Sequence, residues 1–255
     1  MPIPSSSPAP DPIAHKNRLF DAGSVWVVIP TYNEKLNIAR LIAEIFSLPI
    51  PNLSLLVIDD NSPDGTGALV TQLQSQYHKL FLLSRPKKNG LGRAYVDGFD
   101  YAIKQGANTI VQMDADFSHN PADIPRLLQA LIDQDVVIGS RYAHGISVIN
   151  WPLHRLLLST SANIYAGFVT GMPFKDCTGG FRAWRASTLT AINFSDIQVD
   201  GYGFQIIMLY RAWRQPSRII EVPIIFTERR EGQSKMTNSI IAEAMILVWK
   251  LRLFG

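Results

Sequence analysis

The sequence predicts an α/β fold: a mostly parallel β-sheet with helices on both faces. Two observations carry that prediction. From residue 25 to about residue 141, apolar runs of strand length alternate with longer runs whose apolar residues recur at helical spacing. The strand-length runs are apolar throughout, as expected of strands buried on both faces. The length, 255 residues, suits one domain or a tightly joined pair and is enough to bury a sizeable core.

Residues 1–24 are rich in Pro and Ser and lack hydrophobic periodicity, so they are expected to form a disordered tail. They hold no apolar stretch of the kind a signal peptide needs. Residues 25–29 read as a buried strand stopped by Pro30. Residues 34–47 read as a helix, with Leu36, Ile38, Leu41, Ile42, Ile45 and Phe46 near helical spacing. A second strand, 53–58, ends at Asp59-Asp60, and a turn cluster at 61–67 leads into a helix over 68–77. Strand 80–83, helix 92–105 and strand 109–113 follow, the last ending at Asp114. Asn120 is the expected N-cap of a helix over 121–133, and 136–138 is a fifth strand. After Arg141 the rhythm changes. A helix over 153–168 precedes a Gly-containing stretch from Asp176 to Phe181. Then come a helix over 204–213, a strand over 219–226 containing Pro223, and a last helix over 237–254. This half is expected to complete one site, not to form a separate domain.

Composition excludes several classes. Hydrophobic residues make up 47% and charged residues 18%, below the roughly 25% of ordinary soluble proteins. The net charge is +3 and the pI about 9.0. A single cysteine, Cys177, rules out a disulfide scaffold, and the apolar content rules out a disordered chain. No nucleic-acid partner is expected. The longest apolar candidate for a membrane span, 240–254, is shorter than the roughly 20 residues a span needs and is interrupted by Glu243, Lys250 and Arg252.

In an open parallel sheet, ligands bind beyond the carboxyl ends of the strands. Three strands end in polar clusters. Pro30-Thr31-Tyr32-Asn33-Glu34 and Asp59-Asp60-Asn61-Ser62-Pro63-Asp64-Gly65-Thr66 suit a nucleoside. Tyr32 can stack on a base, Asp60 can accept from a base N–H, and Glu34 can accept from ribose hydroxyls. The plainer alternative makes the first a helix start and the second a turn. The third cluster, Asp114-Ala115-Asp116, is sharper. Residues i and i+2 of an extended segment face one side, so two carboxylates crowd one spot beside Val111 and Met113. A divalent cation such as Mg²⁺ or Mn²⁺ would relieve their repulsion, taking carboxylate oxygens and substrate phosphates together. The alternative is that Asp116 caps the next helix, but Asn120-Pro121 already supplies that signal.

Other chemistries find no support. The glycines at 90, 92 and 98 do not make a dinucleotide-binding fingerprint. There is no P-loop, no nucleophile elbow and no zinc-ligand spacing among the five histidines. Basic residues cluster late: Arg141 after the strand at 136–138, Arg155 on the next helix, and Arg229-Arg230-Glu231-Gly232-Gln233-Ser234-Lys235 after another strand. Guanidinium forks grip phosphate, and a lysine adds a point charge.

Taken in order, the motifs 27–34, 59–66 and Asp114-Ala115-Asp116 resemble those of the family 2 glycosyltransferases. Gly90-Leu91-Gly92, Asp114 to Pro121, Asp176 to Arg182 and the run from Arg229 to Lys235 are similar to dolichyl-phosphate (polyprenyl-phosphate) mannose synthases within that family. The resemblance implies a single-domain A-type glycosyltransferase fold, a Rossmann-like sheet, with its catalytic domain over 25–235 and a C-terminal helix over 236–255. It implies that Pro30, Tyr32, Glu34, Ile58 and Asp60 hold the guanosine. Asp114, Ala115 and Asp116 would hold the sugar-diphosphate, with Asp116 as metal ligand. Ser118 falls where some relatives place a further ligand, Gln. Arg141 and Arg155 would face a lipid phosphate. Arg229, Ser234 and Lys235 would lie in a loop that closes on phosphates. Relatives often carry an acid two residues after the Gln of Gly201-Tyr202-Gly203-Phe204-Gln205, where this chain has Ile207.

The reaction so implied moves mannose from GDP-mannose to dolichyl or polyprenyl phosphate, with inversion, using Mg²⁺ or Mn²⁺. Transfer from UDP-glucose to undecaprenyl phosphate is the alternative, and a non-catalytic nucleotide-sugar-binding partner a second. The acceptor lies in a bilayer, so the expected location is peripheral, at the cytoplasmic face of a membrane or docked on a membrane-anchoring partner. The last helix, with Met245, Ile246, Trp249 and Leu253 beside Lys250 and Arg252, is either an interfacial element or a core-packing helix.

Overall fold

The computed structural model describes residues 23–197, 199, 201–228 and 238–254. The expected tail therefore lies outside the described residues, apart from Gly23 and Ser24. So do Arg229, Ser234 and Lys235. The central sheet has seven strands in the order β3-β2-β1-β4-β7-β5-β8. They are β1 (Val25–Thr31), β2 (Leu53–Asp59), β3 (Leu80–Ser84), β4 (Thr109–Gln112), β5 (Val136–Ser140), β7 (Arg182–Arg185) and β8 (Ile219–Pro223). All pair in parallel except β7, which runs antiparallel to both β4 and β5. The helices are α1 (Lys35–Phe46), α2 (Thr66–Leu73), α3 (Leu91–Lys104), α4 (Ile124–Leu131), α5 (Leu153–Thr170), α6 (Ala186–Ala191), α7 (Gly201–Arg214) and α8 (Asn238–Phe254).

Strands β1, β2, β4 and β5 are buried on both faces, as expected, while the edge strands β3 and β8 are partly exposed. Val25, Val27 and Ile29 enter one core layer with Ile38 and Leu41 of α1 and Leu127 of α4. Trp26 and Val28 enter the other with Tyr95 and Phe99 of α3 and Phe204 and Met208 of α7. Each such side chain contributes about 1.5–3 kcal/mol on leaving water, so both layers hold β1 at the centre.

Three differences from the expected elements matter. Strand β7, with α6 behind it, comes from the second half of the chain and inserts between β4 and β5, so the two halves form one sheet. The strand expected over 219–226 breaks after Pro223, and Phe226–Thr227 (β9) pairs instead with Val148–Ile149 (β6) in a separate two-stranded sheet. Helix 121–133 divides into a 3₁₀ turn, Pro121–Asp123, and α4. Asn120 caps that turn as expected, accepting from Ala122 N at 3.0 Å. Helix α8 packs one side on the core and exposes apolar side chains on the other. Val248 is buried and Leu247 and Leu251 pack on the core, while Met245, Ile246, Trp249 and Leu253 are exposed.

Candidate active site

β1 is flanked by β2 and β4 and runs parallel to both, which brings their polar ends to one edge. The first two ends are tied by hydrogen bonds. Backbone N–H groups of Asn33, Glu34 and Lys35 donate to Ser62 Oγ (3.0 Å), Thr66 Oγ1 (3.1 Å) and Asp64 Oδ2 (3.0 Å). The turn after β2 thus satisfies donors at the start of α1, which has no N-cap side chain of its own. Asp59 is used structurally: it accepts from Thr31 Oγ1, Ser62 N and Ser62 Oγ. Asp60 is different. Arg85 Nη1 holds it at 2.5 Å, and Arg85 Nε reaches Asp97 of α3 at 2.8 Å. Burial pushes the Asp60 carboxyl above the usual carboxylate range, against the pull of Arg85.

Tyr32 and Glu34 follow β1 on this edge. Lys88 Nζ stands 4.2 Å from the centre of the Tyr32 ring, and Glu34 Oε2 accepts from Asn37 Nδ2. Pro30 lies opposite Ile58 in the register of β1 and β2. The side chains of Ile58 and Ala115 are packed into opposite core layers, and both residues are buried. The glycines before α3 are explained by geometry. Gly90 has φ of +93°, and a Cβ on Gly92 would stand 2.3 Å from the Val199 carbonyl oxygen.

Strand β4 ends at Gln112, one residue earlier than expected, and the carboxylate pair sits in the bends that follow. A turn, not an extended strand, therefore places it. Asp116 is buried, and its Oδ1 accepts from Ser118 N (3.1 Å) and Ser118 Oγ (2.6 Å). Tyr95 Oη, with one proton to donate, stands 3.1 Å from the Met113 carbonyl and 3.2 Å from Asp114 Oδ1, and Asp114 N donates to His119 Nδ1 at 3.1 Å. A ring nitrogen that accepts carries no proton, so His119 is the neutral tautomer protonated on Nε2. Burial lowers its pKa, against the pull of Asp114 and Asp116. Burial, and then Asp114, pushes the Tyr95 phenol well above its usual value, so Tyr95 keeps its proton. With Asn120 as the cap, Asp116 is not needed to start the next helix.

Asp114, Asp116 and Ser118 offer only oxygen donors, the set that suits Mg²⁺ or Mn²⁺. Among the described residues no three His, Cys, Asp or Glu side chains gather to hold an ion. Two carboxylates completed by substrate phosphates is how Mg²⁺ is usually held, so the residues fit such an ion.

Arg141 follows β5 and is buried. Its N (2.9 Å) and Nε (2.8 Å) donate to Asp176 Oδ2, while Nη2 donates to Asp176 Oδ1 (2.6 Å) and Thr178 Oγ1 (2.8 Å). Its guanidinium also faces the rings of Tyr142, Trp151 and Phe226, at 5.3, 5.7 and 5.6 Å. Arg155 of α5 stacks on the same Trp151, at 4.4 Å, and pairs with Glu228 at 2.6 Å. The two arginines are thus brought together on one indole, each with an anionic partner that the sequence did not disclose.

Arg85 and Tyr95 went unnoticed in the sequence, and Asp176 was picked out only as part of a motif, with no role of its own. Arg85 directly follows β3, so the strand-end rule that picked out Asp60 would have found it. Tyr95 carried no such signal.

The model of glycosyl transferase family 2 matches residues 26–192. A polyprenol monophosphomannose synthase of Mycolicibacterium smegmatis is 44% identical over 230 residues, covering 89% of this chain and 86% of that protein. An undecaprenyl-phosphate mannosyltransferase of Micrococcus luteus is 42% identical, covering 88% of this chain and 92% of that protein. A dolichol-phosphate mannosyltransferase of Pyrococcus furiosus is 36% identical, over 89% of this chain and 63% of that protein. The crystal structure of glucosyl-3-phosphoglycerate synthase from Mycobacterium tuberculosis with Mn²⁺, UDP and glucosyl-3-phosphoglycerate superimposes with a TM-score of 0.65. It covers 97% of this chain and 86% of that one at 17% identity, a likeness of fold.

Proposed function

The chain belongs to glycosyl transferase family 2, and on that premise we propose that it moves mannose from GDP-mannose to a polyprenyl phosphate, inverting the anomeric carbon. The relatives named as polyprenyl- and dolichol-phosphate mannosyltransferases support the acceptor and the sugar. One structural observation carries the reading. A carboxylate pair stands at the end of β4 beside the Tyr32, Glu34 and Asp60 edge, and two arginines that follow β5, one strand beyond β7, converge on Trp151.

In this reading Tyr32, Glu34 and Asp60 bind the nucleoside, with Arg85 positioning Asp60. Asp114, Asp116 and Ser118 would hold Mg²⁺ or Mn²⁺, which when bound neutralises charge on the leaving diphosphate. Arg229 and Lys235 would add positive charge there, and Ser234 would reach the acceptor phosphate. Arg141 and Arg155 align that phosphate for in-line attack. A phosphate monoester has a second pKa of about 6, so at pH 7 it needs little help from a base.

The test is transfer of radiolabelled mannose from GDP-mannose to short polyprenyl phosphates, with and without divalent ion. Metal-dependent product is expected. In parallel, GDP-mannose with Mg²⁺ should raise the melting temperature more than UDP-glucose does, and the reverse ranking would overturn the donor. Arg85→Gln should weaken nucleotide binding by about tenfold, the worth of one charge-assisted hydrogen bond, as read by calorimetry. Unchanged affinity would remove Asp60 from the site.

The proposed membrane contact rests on exposed apolar side chains. Leu153, Leu157, Ile164 and Phe168 follow helical spacing along α5, and Phe168 is 86% exposed. Helix α5 packs beside α8, where Tyr165 Oη donates to the Met245 carbonyl at 3.3 Å. Among the described residues no helix is long and apolar enough to cross a membrane. Phe168→Asp should lower binding to anionic phospholipid vesicles by roughly 10-fold or more, since one buried Phe is worth about 1.5–3 kcal/mol. Sedimentation unchanged from wild type would move the contact elsewhere.

A further inference from the structure

We propose, resting on the transferase reading above, that the Glu228 carboxylate occupies the anion position on Arg155 that the acceptor phosphate takes. Acceptor binding is then an exchange of one anion for another, and Glu228 returns to Arg155 as product leaves. Arg155 stands in the first turn of α5, and Trp151 covers its guanidinium at 4.4 Å. The N–H groups of a guanidinium lie around its edge. Glu228 Oε1 takes one of them, accepting from Nη1 at 2.6 Å.

The chain brings Glu228 there by the small sheet. Glu228 N donates to the Ile149 carbonyl at 3.1 Å, which extends the pairing of β6 with β9. Phe226 packs edge-on against Trp151 at 5.3 Å. Thr227 N donates to the Ser118 carbonyl at 3.3 Å. The position held by Glu228 therefore lies beside the turn that carries Asp116 and Ser118.

The two arginines differ in how firmly their counter-ions are held. The Asp176 side chain is 0% exposed and accepts from Arg141 and from Gly179 N, so its removal would strand a buried charge. The Glu228 side chain is 30% exposed. An ion pair open to water is worth at most about a factor of five, so this one can be exchanged. A phosphate monoester carries a charge of about −1.5 to −2 at pH 7 and outweighs a single carboxylate. Transfer changes that balance. The phosphate oxygen forms a bond to the anomeric carbon, and the bond to the donor diphosphate breaks, its electron pair leaving with the nucleotide. The acceptor becomes a diester with one negative charge, which Glu228 matches.

Glu228→Gln tests the exchange. The amide oxygen can still accept from Arg155, and the backbone bond to Ile149 is untouched, so the fold is retained. The KM for a short polyprenyl phosphate should fall by about fivefold. The inhibition constant of the mannosylated lipid should fall by the same factor, because one competitor has been removed from both. Affinity for GDP-mannose, by calorimetry, should not change. If Glu228 only oriented Arg155, the acceptor KM would rise. An unchanged or raised KM overturns the proposal. So does a lowered KM with unaltered product inhibition, which is repulsion of a dianion at a distance and not exchange. Arg155→Met should raise the acceptor KM, and adding Glu228→Gln to it should change KM no further. A wild-type KM in Arg155→Met would overturn the acceptor role of Arg155 and the exchange with it. A raised KM there, with no response to Glu228→Gln alone, overturns the exchange and leaves that role standing. Should Glu228→Gln not fold, Glu228→Ala decides the matter by the same two constants.

Discussion

Replacing Asp116 by Asn is expected to reduce transfer by roughly 10²–10³-fold, the scale of losing one electrostatic stabiliser of a transition state, while the protein stays folded. Asn is the informative substitution. Asp116 Oδ1 accepts from Ser118 N and Ser118 Oγ, and an Asn Oδ1 can accept both bonds in the same place. The charge is lost, and Oδ2, an acceptor, becomes an amide donor. Asp116→Ala would also open the turn, and its defect would mix local unfolding with chemistry. The Asn variant should melt within a few degrees of wild type. Its binding of Mn²⁺ in the presence of GDP, followed by paramagnetic resonance, should be lost. Near-normal transfer would remove Asp116 from the proposed metal site. Normal Mn²⁺ binding with lost transfer would assign its charge to a different step.

The contrast between Asp116 and Asp176 shows what a sequence discloses. Asp116 was visible because it closes an apolar run, and an apolar run that stops at a pair of carboxylates is a local pattern. The same logic located Tyr32, Glu34 and Asp60, and the strands that carry them. β7 was not visible. Its four residues, Arg182-Ala183-Trp184-Arg185, set two apolar residues between two arginines, yet Arg182 is fully buried. The burial is tolerable because Arg182 Nη1 and Nη2 donate to the carbonyls of Gln205 and Cys177, and those partners arrive only with the tertiary fold. Even so, desolvation lowers the Arg182 pKa to about 10. The ion pairs of Arg85 and Arg141 were hidden for the same reason: their partners are distant in sequence, 25 residues away for Asp60 and 35 for Asp176. Periodicity reports which face of an element is buried. It does not report which charge waits on the other side.

Asp176→Asn is expected to destabilise the fold by about 3–5 kcal/mol, because it leaves a buried guanidinium without its counter-charge. That is a large share of the roughly 5–15 kcal/mol that holds a domain together. Asp176 is fully buried and accepts from Arg141 N, Nε and Nη2 and from Gly179 N. Burial raises its pKa, but the charge and hydrogen bonds of Arg141 outweigh that and hold it below the usual carboxylate value. A depressed pKa sets the sign of the pH dependence. The stabilisation is present above the unfolded pKa of about 3.9 and is lost as pH falls through the lower folded value. Urea titrations should therefore show wild type and Asp176→Asn far apart at pH 7 and converging below about pH 4. A constant gap through that range would mean the pair contributes no charge-linked stability. The same coupling complicates Arg141→Ala, which strands a buried carboxylate and would lose transfer through instability alone. The double variant Arg141→Met with Asp176→Leu separates the two effects. Apolar replacement of a whole buried pair is often neutral or stabilising, so stability should recover. Transfer to polyprenyl phosphate should not recover, with GDP-mannose affinity near wild type, if Arg141 aligns the acceptor. Recovery of both would make Arg141 a structural residue and leave Arg155 to hold the phosphate.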